Sequence, residues 1–167
     1  KPRPRPRPKP KPKPKPAFDA LAGFVANGGA LVTTEWMAYD RDDNAVFLPV
    51  EYDGDYHSGS EWIVKNPGHG LVIGLPGSWQ EDEAGWSEVI TKPGATSVID
   101  NDSGYSMLSY WSELGGTVVH INHDMTYSDD ISDKVMQVLV NSALFAAGID
   151  LGSGDGFETV ESDSVAA

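Results

Sequence analysis

Residues 17–150 predict a single α/β domain, because an apolar helix runs through a Gly-Gly break into a short strand, a hairpin with a third strand follows, and an amphipathic helix closes the region. The chain of 167 residues is long enough for one such core and too short for two of full size.

The first helix is read from Phe18, Leu21, Ala22 and Val25, which are apolar at helical spacing. Asn27-Gly28-Gly29 supplies its stop. Ala30 to Thr34 follows as a short buried strand, and helix, Gly-Gly, strand is half of a βαβ crossover. From Glu35 to Gly70 the pattern is polar, Gly-rich and aromatic, which predicts a long functional loop with one short strand at Ala45 to Val50. Leu71 to Leu75 is a further strand candidate, ended by Pro76-Gly77. Residues 96–100 and 105–111 bracket the turn Asn101-Asp102-Ser103-Gly104, and Gly115-Gly116 leads into a strand from Thr117 to Ile121. In the last helix, predicted from Asp130 to Ala147, Ile131, Val135, Val138, Leu139, Ser142, Ala143 and Ala146 form one stripe, and Gly148 caps the end.

Two tails flank this body. Residues 1–16 alternate Lys or Arg with Pro, a pattern that favours an extended polyproline II rod and cannot join a core. The segment suits a spacer, a cationic contact to an anionic wall, membrane or acidic protein, or an electrostatic clasp onto the domain itself. Residues 151–167 are rich in Gly, Ser and acid and are expected to be disordered. The chain does not begin with Met and carries no signal peptide, so it reads as a processed chain or fragment, with an extracytoplasmic or secreted address.

Charge separates the parts. The chain's net charge of −13 leaves residues 17–167, with four basic and 25 acidic residues, at −21, because eight basic residues lie in the first sixteen positions. Such a body repels nucleic-acid phosphates and is excluded as a nucleic-acid binder. The acidity serves solubility, a salty environment or divalent cations. With no cysteine the chain has no disulfide, no thiolate metal site and no Cys nucleophile. No apolar run is long enough for a transmembrane segment.

The segments Leu21-Ala22-Gly23-Phe24-Val25, Gly28-Gly29-Ala30-Leu31-Val32, Gly74-Leu75-Pro76, Gly115-Gly116-Thr117-Val118-Val119 and Asn141-Ser142-Ala143-Leu144, in that order, resemble the class I glutamine amidotransferase-like superfamily, closest to its trehalose-utilisation-type branch. The resemblance covers residues 18–149. It implies a flavodoxin-like three-layer sandwich with a mostly parallel sheet. Members normally begin with a strand and one or more βα units before the first helix seen here. Their place is taken by the proline-rich segment, so the expected sheet is N-terminally incomplete or is completed by another chain. The superfamily's enzymes use a Cys on a sharp strand-to-helix turn, and this chain has none, so a thioester mechanism lacks its nucleophile.

Ligands of open α/β sheets bind beyond the carboxyl ends of strands, which selects Glu35 with Trp36, and Asn122 with His123 and Asp124. His123 lies where the resembled family often places its catalytic His. Glu35, His123 and Asp124 are the candidate catalytic set: general base and orienter, or ligands of a Zn- or Mn-type ion. They equally suit helix capping and loop hydrogen bonds, and His120, in mid-strand, reads as a core residue. Asp53, Asp55 and Glu61, beside His57, form a carboxylate-rich loop that could bind Ca²⁺ or another divalent cation, or simply be solvated. Asp40, Asp42 and Asp43 precede it. The aromatic residues gathered largely in the middle region, Trp36, Trp62, Trp79, Trp86 and Trp111 with Tyr39, Tyr52, Tyr56 and Tyr105, roof the core, form protein contacts or, as exposed coplanar faces, stack on sugars. No Gly-x-Ser-x-Gly elbow is present.

Together these features predict a non-catalytic, extracytoplasmic interaction or assembly module that self-associates or binds another protein chain, with or without a cation. The alternatives are a hydrolase or carbohydrate-active enzyme using Glu35, His123 and Asp124, and a carbohydrate-binding domain.

Overall fold

The Gly-Gly pairs at 28–29 and 115–116 set the first contact of the fold. In the computed structural model, which describes residues 15–39, 46–125 and 131–152, helix α1 (Lys15–Ala26) ends against the segment that enters strand β6 (Val118–Ile121). A Cβ on Gly116 would lie 2.1 Å from the carbonyl oxygen of Gly29 and 2.7 Å from that of Val25. Only glycine lets these backbones approach so closely.

Strand β1 (Leu31–Thr34) follows α1 and pairs in parallel with β6, Leu31 opposite Val118 and Thr34 opposite Ile121. Helix α2 (Glu35–Tyr39) begins at once. Next come β2 (Val50–Val64), a 3₁₀ turn (Gly70–Val72), β3 (Ser78–Thr91), β4 (Thr96–Asn101) and β5 (Ser106–Trp111), then β6 and helix α3 (Asp133–Ala146). The sheet order is β1-β6-β5-β4-β2-β3.

The expected flavodoxin-like sandwich with a mostly parallel sheet does not form. Only β1 and β6 are parallel, every other pairing is antiparallel, and the mixed sheet curls into a half-barrel with three α-helices among the described residues. The reason is connection length. Parallel neighbours need a crossover of about a dozen residues or more, whereas β4, β5 and β6, which are neighbours in the sheet, are joined by short turns that permit only antiparallel pairing. The segment read as a long functional loop instead contains α2 and the 15-residue β2, which pairs with β3 as one long antiparallel ladder, and of the strand expected at Ala45 to Val50 only Val50 is in a strand among the described residues.

A layered arrangement survives at the β1–β6 end. Val118 and Leu31 pack with Phe18 and Val25 of α1, while Val119, Ile121 and Val32 pack with Val135 and Val138 of α3. Alternation along the two strands thus sends neighbouring residues to opposite helices. Val135 and Val138 are fully buried, each worth about 1.5–3 kcal/mol relative to exposure. The Ser132 hydroxyl caps α3 by accepting from the Val135 amide, 3.2 Å away, and Asp133 lies in its first turn. Residues 1–14 and 153–167, with most of both predicted tails, and the acidic Asp40, Asp42 and Asp43 lie outside the described residues. No described helix is long and apolar enough to cross a membrane.

Candidate functional site

Parallel pairing of β1 and β6 brings their carboxyl ends together, and with them Glu35 and the Asn122-His123-Asp124 segment. The Glu35 amide donates to the His123 carbonyl at 3.4 Å. Backbone proximity is therefore as expected, but the side chains point to different partners. The Ser87 hydroxyl on β3 donates to Glu35 Oε1. The His123 ring meets Trp62 edge-on, with centroids 5.9 Å apart. Asp124 accepts from Trp36 Nε1 at 2.8 Å on one oxygen and from the Tyr56 hydroxyl at 3.2 Å on the other. Relative exposures of Glu35, His123 and Asp124 are 0%, 0% and 8%.

Asn122 explains why these residues sit here. Its Oδ1 accepts from the Ser87 amide at 3.1 Å, while its Nδ2 donates to the Ser87 carbonyl at 2.8 Å and the Ser106 carbonyl at 3.0 Å. The Asp124 amide donates to the Gly85 carbonyl at 2.7 Å. A side-chain amide carries the same donor and acceptor as a peptide group. Asn122 and Asp124 thus satisfy the outer edge of β3 and clamp it to the end of β6, which closes the curl of the sheet. Gly85 is required beside the clamp, because a Cβ there would lie 1.7 Å from the Tyr56 hydroxyl oxygen.

His120 is a core residue, as expected. Its Nδ1 lies 3.0 Å from the Thr33 hydroxyl, and burial, assisted by the Lys92 charge, lowers its pKa to about 3. The imidazole is neutral at physiological pH.

Asp53, Asp55 and Glu61 do not form a loop. All three are exposed positions on β2, and Asp53 and Glu61 stand eight residues apart, roughly 25 Å along an extended strand. One cation cannot take ligands from both, since Ca²⁺ bonds to oxygen at about 2.3–2.6 Å. Among the described residues no group of three or more His, Cys, Asp or Glu side chains is placed to hold a metal.

The sequence reading missed Glu88. Its carboxylate accepts from His57 Nε2 at 2.8 Å and from the Asp55 amide at 3.1 Å, and these bonds hold its pKa below the usual carboxylate value. His57 also stacks on Trp86 with centroids 4.6 Å apart. The signal lies in Gly54, where a Cβ would come within 1.9 Å of Glu88 Oε2. Four of the middle-region aromatic residues gather in one surface, Trp36 and Tyr39 from α2 with Tyr52 and Tyr56 from β2, joined by contacts of 5.5–6.1 Å. A groove of about 410 Å³ lies elsewhere, bordered by Gly68, Gly70, Phe145, Gly148 and Leu151.

A protein from Bacteroides uniformis designated ThuA-like superimposes with a TM-score of 0.65 at 16% identity, over 86% of this chain and 69% of that one. The chain shares its fold with that protein. A cytoplasmic protein of Salmonella typhimurium gives a TM-score of 0.59 at 19% identity, covering 78% of this chain and 60% of that one. A β-galactosidase from Bacillus circulans sp. alkalophilus gives 0.59 at 14% identity, covering 80% of this chain and 21% of the enzyme. The chain therefore spans about three fifths of the Salmonella protein and one fifth of the galactosidase. No family model and no curated protein matches the sequence. At these identities the fold alone is shared, and the chemistry of this chain rests on its own residues.

Proposed function

We propose that the chain is a non-catalytic interaction module on a ThuA-like scaffold, which associates with a second protein chain by adding a strand to the open edge of β1. The observation that carries this reading is the use of the candidate catalytic residues. Glu35, His123 and Asp124 are buried, and both carboxylates take protein donors, so they serve the clamp on β3 rather than an open pocket. The absence of any cysteine supports the same reading.

The association surface follows from the ladder. Leu31 and Glu35 direct their amides toward the β6 side, to the carbonyls of Thr117 and His123. Strand alternation turns the amides of Val32 and Thr34 the other way. Among the described residues β1 pairs with no second strand, so these donors are available for β-augmentation. That a like fold occupies one fifth of a galactosidase chain supports a role as a part of larger assemblies. The acidic, cysteine-free composition fits an extracytoplasmic setting.

Sedimentation of the full chain over a range of concentrations tests the reading. Reversible association, lost in Thr34→Pro with the monomer still folded, is the expected result. A monomer at all concentrations, together with hydrolysis of model glycosides or esters that Glu35→Gln abolishes, would overturn it.

A further inference from the structure

The four-ring surface exposes more aromatic area than the Trp36 and Tyr56 hydrogen bonds to Asp124 require. Trp36, Tyr39 and Tyr56 are 42%, 39% and 41% exposed, a large aromatic area to leave at the surface of one domain. Three of the four ring contacts are edge-to-face, at interplanar angles of 89°, 87° and 70°. Neighbouring rings therefore stand across one another and make a ridged face instead of a flat stack. Aromatic faces of this kind receive polyproline II segments, whose proline rings pack between the side chains without a folding cost.

The face is also electronegative. Burial and then the charges around Tyr52, among them Asp55, Glu35 and Glu88, raise the Tyr52 phenol pKa above its ordinary value. Arg and Lys are attracted both to ring faces and to such a field. One segment on the page combines regular proline with regular positive charge, and it belongs to this chain.

We propose that residues 1–14, the Lys/Arg-Pro repeat, dock in cis on the face formed by Trp36, Tyr39, Tyr52 and Tyr56. The path is short. Phe18, in the opening turns of α1, stacks on Phe47 with centroids 6.3 Å apart, in the apolar cluster that contains Met37 and Ala38 of α2. The chain therefore enters α1 beside the helix that carries Trp36 and Tyr39. Fourteen residues of polyproline II reach about 43 Å, and tethering keeps the effective concentration of the segment high, which favours the chain's own repeat over a second copy's. The −20 charge of the remaining chain holds the arm near its surface, and the rings give it an address. This inference is independent of strand addition, since its surface is α2 and β2 rather than the edge of β1.

The test uses the full chain with a nitroxide on Lys9→Cys, a unique label because the sequence has no other cysteine. At low salt the Trp36 indole N–H signal is expected to be lost to paramagnetic broadening. The Trp111 signal, from the end of β5 beside Val118 at the start of β6, is expected to remain. The loss should not depend on protein concentration. It should reverse at high salt and in the Arg3→Glu, Arg5→Glu, Arg7→Glu variant, whose substitutions lie outside the described residues. Equal broadening of all five tryptophans, meaning diffuse attraction, would overturn the proposal. So would broadening that grows with concentration, meaning the arm of a second copy, or no broadening at all. Sedimentation is read separately, so failure here leaves the strand-addition reading intact.

Discussion

The two outer strands of the sheet treat their free backbone differently. At β3, the Ser87 amide and carbonyl and the Gly85 carbonyl are bonded by Asn122 and by the Asp124 amide. At β1, Val32 and Thr34 point their amides away from β6 toward no described strand. The residues that end β6 thus seal one distant edge, while the edge next to them carries no further strand among the described residues. Position at the carboxyl end of parallel strands marks where a ligand could bind, but burial and bonding decide whether the residues there serve chemistry or closure.

Breaking the seal should have the largest effect. Asn122→Ala leaves the Ser87 amide, the Ser87 carbonyl and the Ser106 carbonyl without their partner, and at about 1–3 kcal/mol for each buried unpaired group the expected loss is about 4 kcal/mol in urea unfolding. Gly116→Ala attacks the β1–β6 end instead. Its Cβ meets backbone that cannot swing aside, and about 3 kcal/mol should be lost in the same assay.

The layer between the two edges contains His120, whose pKa falls from an ordinary value near 6.5 to about 3 in the folded state. Below pH 6.5 the unfolded chain takes up a proton that the folded chain refuses, so stability present above that pH is lost as pH falls toward 3. By pH 4 this group alone should cost about 3 kcal/mol. Measured at pH 7 and pH 4, the stability difference between His120→Asn and the wild type should move by that amount in the variant's favour.

Gly85→Ala sharpens the comparison at β3. Tyr56 must leave Asp124 to make room, at an expected cost of about 2 kcal/mol, and near-ultraviolet circular dichroism of the aromatic face should change. Thr34→Pro should have the smallest effect on monomer stability, about 1 kcal/mol or less, and should still abolish association.

The half of the fold built around β1 and β6 was legible in the sequence. Phe18 and Val25, the Gly-Gly pairs, the Asn101–Gly104 turn and the stripe through Val135 and Val138 each carry a local signal, and β1, β4, β5, β6, α1 and α3 formed where these residues place them. The β2–β3 ladder was not legible. Its register shifts between Tyr52 and Tyr56 and again between Ser58 and Ser60, so the two-residue alternation slips twice, and Gly59 takes a positive φ of 70°. Asp53, Asp55 and Glu61 therefore read as an acidic loop although they line a strand. Leu71 to Leu75 read as a strand, but the segment turns at Gly70–Val72, where His69 Nδ1 accepts from the Leu71 amide at 3.2 Å.

The candidate site was legible in position and not in role. That Glu35, His123 and Asp124 would gather followed from two strands ending together. That they would be covered by Ser87, Trp62, Trp36 and Tyr56 depended on β2 and β3 folding back over them, a long-range event without a local pattern.

Residue-resolved amide hydrogen exchange on the full chain compares the two edges most directly. The Ser87 amide should exchange as slowly as the core of β6 and lose that protection in Asn122→Ala, while the Val32 and Thr34 amides should exchange quickly in dilute protein and slow as association sets in. Protection of Val32 and Thr34 at the lowest concentration, or rapid exchange at Ser87 in the wild type, would contradict the account.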